Sequence, residues 1–262
     1  MEGAALKHPD HDGLQQRIRG WTQVCDPAGY RFAPGRYGWY RQDDLPFGVA
    51  TLDERLAPAE LPAALSECRS HFPSGPLTLW VEGRARNEAL SDALAAAGAM
   101  ATFDAGYLAH DRRALDPRPQ PDGIRLEQGS EADLSDFVRV KQQAFMSTER
   151  RPSAETHRRE HARRLAELRR NGAFLLAYRG GEAVAGVSYF SVGDDRFLNL
   201  LVTRLPYRRQ GIGRALVDAV LSRSYAEGAR SVVVVPEPRV AGLYREAGFT
   251  DEVLWRRAYR VP

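Results

Sequence analysis

From residue 124 onward the apolar positions fall into alternating short and helical periods. Residues 124–127 read as a first strand. Leu134, Phe137, Val138, Lys141 and Phe145 then recur at three- and four-residue spacing, which predicts a helix. Ser153 is placed to cap a second helix running to about Arg170. Stretches at 173–178, 183–191 and 196–202 are rich in strand formers. After them Ile212, Ala215, Leu216, Ala219 and Val220 mark the inward face of a third helix that ends near Glu227. Ser231-Val232-Val233-Val234-Val235 reads as a buried strand, and Pro236 and Pro238 break it. A short helix stopped by Gly248 and a last strand over about 249–259 complete the pattern. The order predicts an α/β (α+β) architecture, a central mixed sheet with helices on both faces.

The chain before this region is less regular. Residues 116–123 carry Pro117, Pro119 and Pro121 at alternate positions and almost nothing apolar, as an extended, semi-rigid linker does. The linker divides the chain into a smaller N-terminal part, 1–115, and a C-terminal part, 124–262. Leu77-Thr78-Leu79-Trp80-Val81 is like the valine strand, residues 88–97 read as a helix ended by Gly98, and 103–108 read as a final strand. Matching Ala97-Gly98-Ala99 to Ala247-Gly248-Phe249 puts Leu94 at the position of Tyr244, with no Gly-x-Gly turn before it. The N-terminal part therefore reads as a worn copy of the C-terminal half, the alternatives being an unrelated cap or a chance likeness. Aromatic residues between Tyr30 and Tyr40 are placed either to line a pocket or to pack a core.

Composition narrows the class without naming it. With 43% hydrophobic and 27% charged residues, a soluble globular protein is expected. No apolar segment approaches the roughly 20 residues of a membrane span, and the N-terminus lacks the apolar stretch of a secretory signal. Cys25 and Cys68 have no metal-ligand spacing, so reduced thiols in the cytoplasm are expected, and no metal site. The net charge of +3 does not by itself imply nucleic acid. The arginine-dense helix, with pairs at 158–159, 163–164 and 169–170, is interspersed with Glu155, Glu160 and Glu167 and reads as a solvated face.

The chemistry gathers at Tyr207-Arg208-Arg209-Gln210-Gly211-Ile212-Gly213-Arg214, between a strand and a helix N-terminus. The first turn of a helix has unpaired N–H groups and the positive end of its dipole, and glycines let an anion approach them. A phosphorylated ligand is expected. No lysine follows as in a P-loop, and Leu216 stands at the third glycine of a dinucleotide fingerprint. Arg208, Gly211 and Gly213 fit Arg/Gln-x-x-Gly-x-Gly/Ala, and Leu243-Tyr244 to Gly248-Phe249 follow as Leu-Tyr-x-x-x-Gly-Phe. With these two motifs in this order, the chain resembles the GNAT superfamily of acyl-CoA-dependent N-acetyltransferases.

The resemblance implies acetyl-CoA as donor, its pyrophosphate held by the amides of Gln210, Gly211, Ile212, Gly213 and Arg214, with charge from Arg208 and Arg209. It implies that the strand near Leu201 and Val202 splays to pair with the pantetheine arm, one of these amides polarising the thioester carbonyl. It implies Tyr244 as the general acid that protonates the departing thiolate. No base is evident: Asn199 and Thr203 stand where many members carry a Glu, and His157 and His161 are weighed against a packing role. Pro206 directly before Tyr207 and Glu237 in place of an Asn depart from the family pattern. The expected acceptor is a small-molecule primary amine, bound by a monomer or homodimer with no nucleic acid and no membrane. The competing readings are acetylation of a protein N-terminus or lysine, a non-catalytic acyl-CoA sensor, and RNA binding.

Overall fold

The computed structural model describes residues 31–34, 38–42, 48–53, 55–72, 75, 77–83, 86–111, 115, 118–145 and 153–261. The first part contributes β1 (Arg31–Pro34), β2 (Gly38–Gln42), β3 (Gly48–Asp53), α1 (Leu61–His71), β4 (Leu77–Gly83), α2 (Glu88–Ala96) and β5 (Met100–Asp111). The second contributes β6 (Ile124–Gln128), α3 (Leu134–Phe145), α4 (Ala154–Arg170), β7 (Gly172–Arg179), β8 (Glu182–Val192) and β9 (Asp195–Thr203). It continues through α5 (Ile212–Ala226), β10 (Ser231–Val234), α6 (Ala241–Glu246) and β11 (Thr250–Val261). The helices and strands expected after residue 124 are present, and Ser153 caps α4 by accepting from the Thr156 amide at 3.1 Å. The mixed sheet with helices is the expected α/β class. The aromatic side chains expected between Tyr30 and Tyr40 lie outside the described residues.

The strands form one sheet of eleven, in the order β1-β2-β3-β4-β11-β5-β10-β9-β8-β7-β6. Reading outward from its centre, each half repeats the same plan. An antiparallel meander leads through a helix to a parallel neighbour (β3 to β4, β9 to β10), then to a short helix and a last strand. The two last strands have changed places. β11 lies against β4 of the first half, while β5 lies against β10 of the second. They pair with each other antiparallel along the middle of the sheet.

A strand at the centre must be apolar toward both faces. Accordingly Tyr107, Leu108, Ala109 and His110 are buried in succession. Leu108 belongs to the core that α5 and α6 cover, together with Val232, Val234, Leu216, Val220 and Phe249. Trp255, Tyr259 and Val261 of β11 in turn belong to the core under α1 and α2. His110 fastens the exchange. The Tyr225 hydroxyl donates to the His110 carbonyl at 2.6 Å and lies 2.7 Å from His110 Nδ1. Since the phenol has one proton, Nδ1 is the donor in that second bond.

The arginine helix is only partly the solvated face its sequence suggests. Arg158 and Arg159 pair with Glu155 on the surface, but the Arg164 side chain is 5% exposed and binds Glu160 and Glu167. Glu160 also accepts from Arg163 and Lys141. Burial opposes its ionisation, yet Arg164, Arg163 and Lys141 outweigh that and bring it to about 2.

Because β5 is an integral member of the second half's sheet, residues 124–262 expressed alone would expose β10 and lose Leu108 and His110 from the core. We expect that fragment to be aggregated or unfolded by gel filtration and circular dichroism, and co-expression with residues 1–123 to restore a folded complex. A soluble, cooperatively melting fragment would show that the exchanged strand is dispensable.

Candidate active site

The glycine turn is built as the start of α5. Arg209 has φ 62° and Gly211 φ 77°, so two left-handed residues flank Gln210. Such alternation turns successive amides to one side, forming a concave anion nest. Gly211 is the N-cap, and the first amide with an acceptor inside the helix is that of Ala215, which donates to Gly211 O at 3.0 Å. The amides of Ile212, Gly213 and Arg214 precede it at the dipole's positive end. The positive φ favours glycine at 211, whereas the space around both glycines would admit a Cβ at ordinary contact. A Cβ on Gly213 would come within 3.4 Å of Leu243 Cδ1, and one on Gly211 within 3.4 Å of Pro121 Cγ.

The side chains expected to add charge have several uses. Arg208 donates from Nε to Thr203 O at 3.0 Å and from Nη2 to Ala144 O at 2.7 Å, bracing the turn against the ends of β9 and α3. Arg209 is exposed. Arg214 donates from Nε to Asp218 at 2.7 Å, while its Nη1 is buried without a partner among the described residues. Gln210 donates to Pro206 O at 3.0 Å and accepts from Arg179 Nη1 at 2.7 Å.

The strand before the turn opens. The parallel β9–β10 ladder ends at Leu198–Val234. At that point Asn199 is the extra residue of a bulge, since Ser188 pairs with Leu200 and Tyr189 with Leu198. Beyond it β9 keeps its β8 pairing through Thr203, but its other edge has no ladder partner among the described residues. Consecutive strand amides point to opposite edges, so one of Leu201 and Val202 faces the opening. Val202 is buried toward α3, whereas Leu201 packs on the α5 side, 3.8 Å from where a Gly213 Cβ would stand. The open edge, the nest and Leu243 of α6 thus meet at Gly213.

Tyr244 follows Leu243 on α6. Tyr244 is 4% exposed and lies edge-on to Phe249 with centroids 5.5 Å apart. Burial pushes the phenol well above its ordinary value of 10.0. It therefore holds its proton throughout the neutral range. The other candidates are less concentrated. Glu237 is exposed and bound to Arg239 at 2.6 Å. Asn199 is exposed at the bulge. His157 lies 3.0 Å from Gln142 Oε1, and His161 is half-buried on the same helix. No group of metal-ligating side chains occurs among the described residues.

The first half lacks these features at the corresponding places. The β3–β4 ladder runs unbroken over six pairs, against four for β9–β10. Leu94 stands where Tyr244 does, although both short helices end in the same way. Ala99, Gly98 and Ala97 donate to Leu94, Ala95 and Ala93 as Phe249, Gly248 and Ala247 donate to Tyr244, Arg245 and Leu243.

Nest, open edge and the helix bearing the phenol lie side by side in the second half. Residues 139–249 match the model of the acetyltransferase (GNAT) family. That stretch is thus an acetyltransferase domain of a family that uses acyl-CoA donors and amine acceptors. The fold is similar to a GCN5-related N-acetyltransferase from Kribbella flavida, at TM-score 0.66 and 17% identity over 98% of this chain and 97% of that one. It is similar to another from Sphaerobacter thermophilus, at 0.65 and 19% over 94% and 84%. A tandem GNAT protein from the clavulanic acid biosynthesis pathway aligns at 0.61 and 16% over 93% and 86%. No curated protein matches the chain in sequence. Among the described residues no helix is long and apolar enough to cross a membrane.

The raised pKa of Tyr244 gives a signed expectation. The folded state favours the protonated phenol, so this contribution to stability is intact below pH 10 and is lost as pH rises further. The melting temperature of the wild type should fall more steeply from pH 9.5 to 11.5 than that of Tyr244→Phe. Parallel curves would mean that the phenol ionises freely in the folded state.

Proposed function

We propose that the protein transfers an acetyl group from acetyl-CoA to the primary amine of a small molecule. The observation that carries this reading is the convergence at Gly213 of an anion nest, an open strand edge and the helix bearing a buried, protonated phenol. On this reading the amides of Gln210, Gly211, Ile212, Gly213 and Arg214 bind the pyrophosphate. The open edge of β9 pairs with the pantetheine arm, and the Leu201 or Val202 amide donates to the thioester carbonyl. Donors fixed in advance toward a developing oxyanion supply the electrostatic part of such catalysis. Tyr244 gives its proton to the departing thiolate, and the amine loses its own to water.

Arg208 serves the cradle through its braces to Thr203 and Ala144, keeping the turn seated while leaving the nest amides for the ligand. Arg209 is exposed beside the nest, and Arg214 Nη1 has no partner among the described residues. We read residues 124–262 as the catalytic domain of a cytoplasmic tandem protein. The first half is its accessory copy, joined by 116–123, without nest, opening or phenol. With the first half joined to the same sheet through β11, we favour a compact acceptor over a polypeptide.

Calorimetry with acetyl-CoA and an amine panel test the reading. Wild type should bind at micromolar level. Gly211→Glu combines a side chain at positive φ, contact with Pro121 and a negative charge in the nest, and should weaken binding by at least about a hundredfold. Tyr244→Phe should bind normally while kcat falls about a hundredfold. A wild type that binds acetyl-CoA but acetylates only peptides would replace the acceptor assignment. One that binds it and turns over no amine would make the protein a sensor. No binding at all would overturn the reading.

A further inference from the structure

The linker after β5 has a longer journey than its sequence suggests. It leaves a central strand and must reach β6 at the sheet's far edge, five strand spacings away, roughly 24 Å. Its described residues lie on the side of α5 and α6. Leu115 packs against the core that α5 covers, and Arg118 lies 3.9 Å from Glu246 of α6. Pro121 stands against Gly211, at the lip of the nest. A turn closed by the Ile124 amide donating to Pro121 O at 3.1 Å then delivers the chain into β6.

One side chain ties this crossing to the cradle. Arg179, at the end of β7, donates from Nη1 to Gln210 Oε1 at 2.7 Å and from Nη2 to Asp122 O at 3.3 Å. Its guanidinium also lies 5.8 Å over the Tyr207 ring, and Tyr207 opens the glycine turn. The planar fork of an arginine can hold two acceptors at once in a fixed relation, which the single point of a lysine cannot. Gln210 in turn donates to Pro206 O, so both ends of the strained segment are held.

We infer that residues 118–123 are a strap forming the outer wall of the phosphate cradle, with Arg179 as the positioning residue that locks strap and nest together. The inference rests on the proposed acyl-CoA site and adds to it a part contributed by the connection between the halves. The strap borders the nest on the side of Gly211, while the opening toward the thioester lies beyond Gly213. It therefore acts on the phosphate end of the donor and not on its acyl end. By holding Gln210 and the residues at positive φ in their liganded geometry, it spares the donor the entropy of ordering them. A cluster of surface arginines would instead contribute through charge alone.

The test compares two probes that share the pantetheine arm. Calorimetry measures coenzyme A, and competition at millimolar concentration measures pantetheine, which lacks the phosphates and adenosine. With Arg179→Met the dissociation constant for coenzyme A should rise about tenfold, while that for pantetheine stays unchanged. Pro121→Gly should act in the same direction by a smaller factor, and Arg179→Lys should fail to restore affinity although it keeps the charge. Melting temperatures within a few degrees of wild type would keep the comparison free of misfolding. Unchanged coenzyme A affinity in Arg179→Met, equal losses for both probes, or full rescue by Arg179→Lys would each overturn the strap. Wild type blind to coenzyme A would remove the phosphate site itself, a failure distinct from that of the strap.

Discussion

The antiparallel pairing of β5 with β11 at the middle of the sheet is the contact on which the rest of the molecule depends. Each of these strands ends one half of the chain and completes the other. Neither half can close its core by itself, because Leu108 belongs to the core of the second and Trp255 and Tyr259 to that of the first. A long sheet ladder buries its backbone groups only when every pairing is made, so the exchange couples the two cores in one cooperative structure. The polar contacts at the crossing follow the same logic. Asp104 of β5 accepts from Trp255 Nε1 at 2.7 Å and from Arg257 Nη2 at 2.8 Å, satisfying groups that the exchange would otherwise bury unpaired.

The exchange also sets the position of the linker, and through it the setting of the nest. Since β5 is drawn into the second half, the chain departs beside β10 and has to reach β6 at the far edge. The passage brings Pro121 against Gly211 and places the Asp122 carbonyl within reach of Arg179. A nest with Arg209 at φ 62° is strained, and strain of this kind persists only where surroundings hold it. Here they are the Arg208 braces, the Gln210 bond to Pro206 and the Arg179 tie.

Much of the second half was legible because its signals are local. The three-and-four spacing in α3, the valine run of β10, the Ser153 cap and the Gly248 stop each report the backbone at their own position. The glycine turn and the tyrosine helix were readable for the same reason. The strand exchange was not, because the alternation in residues 100–111 fits a last strand of either half equally well. The tie between Arg179 and Gln210 escaped for a similar reason: one arginine among many has no local pattern, and its partners are 31 and 57 residues away in opposite directions. Arg164 was read as solvated since a helix dense in arginine looks like a surface, whereas Glu160 and Glu167 make its burial possible.

The comparison between halves separates what the sheet requires from what the site requires. Both short helices end with a glycine at positive φ and the same three carbonyl contacts, because each must turn the chain into a long central strand. Gly98 and Gly248 are therefore matters of folding, and their presence says nothing about chemistry. The ladders differ where folding makes no demand. Six continuous pairs between β3 and β4 would be the more stable arrangement for β9 and β10 too, yet theirs ends after four, beside the bulge at Asn199, and leaves that edge of β9 without a ladder partner among the described residues. Leu94 would suit the core at Tyr244 without burying a polar phenol. An opened ladder lowers stability and a buried phenol costs more desolvation than a leucine, and both occur in the same half, beside the same nest. That coincidence is what a site shaped for a ligand, rather than for packing, would produce.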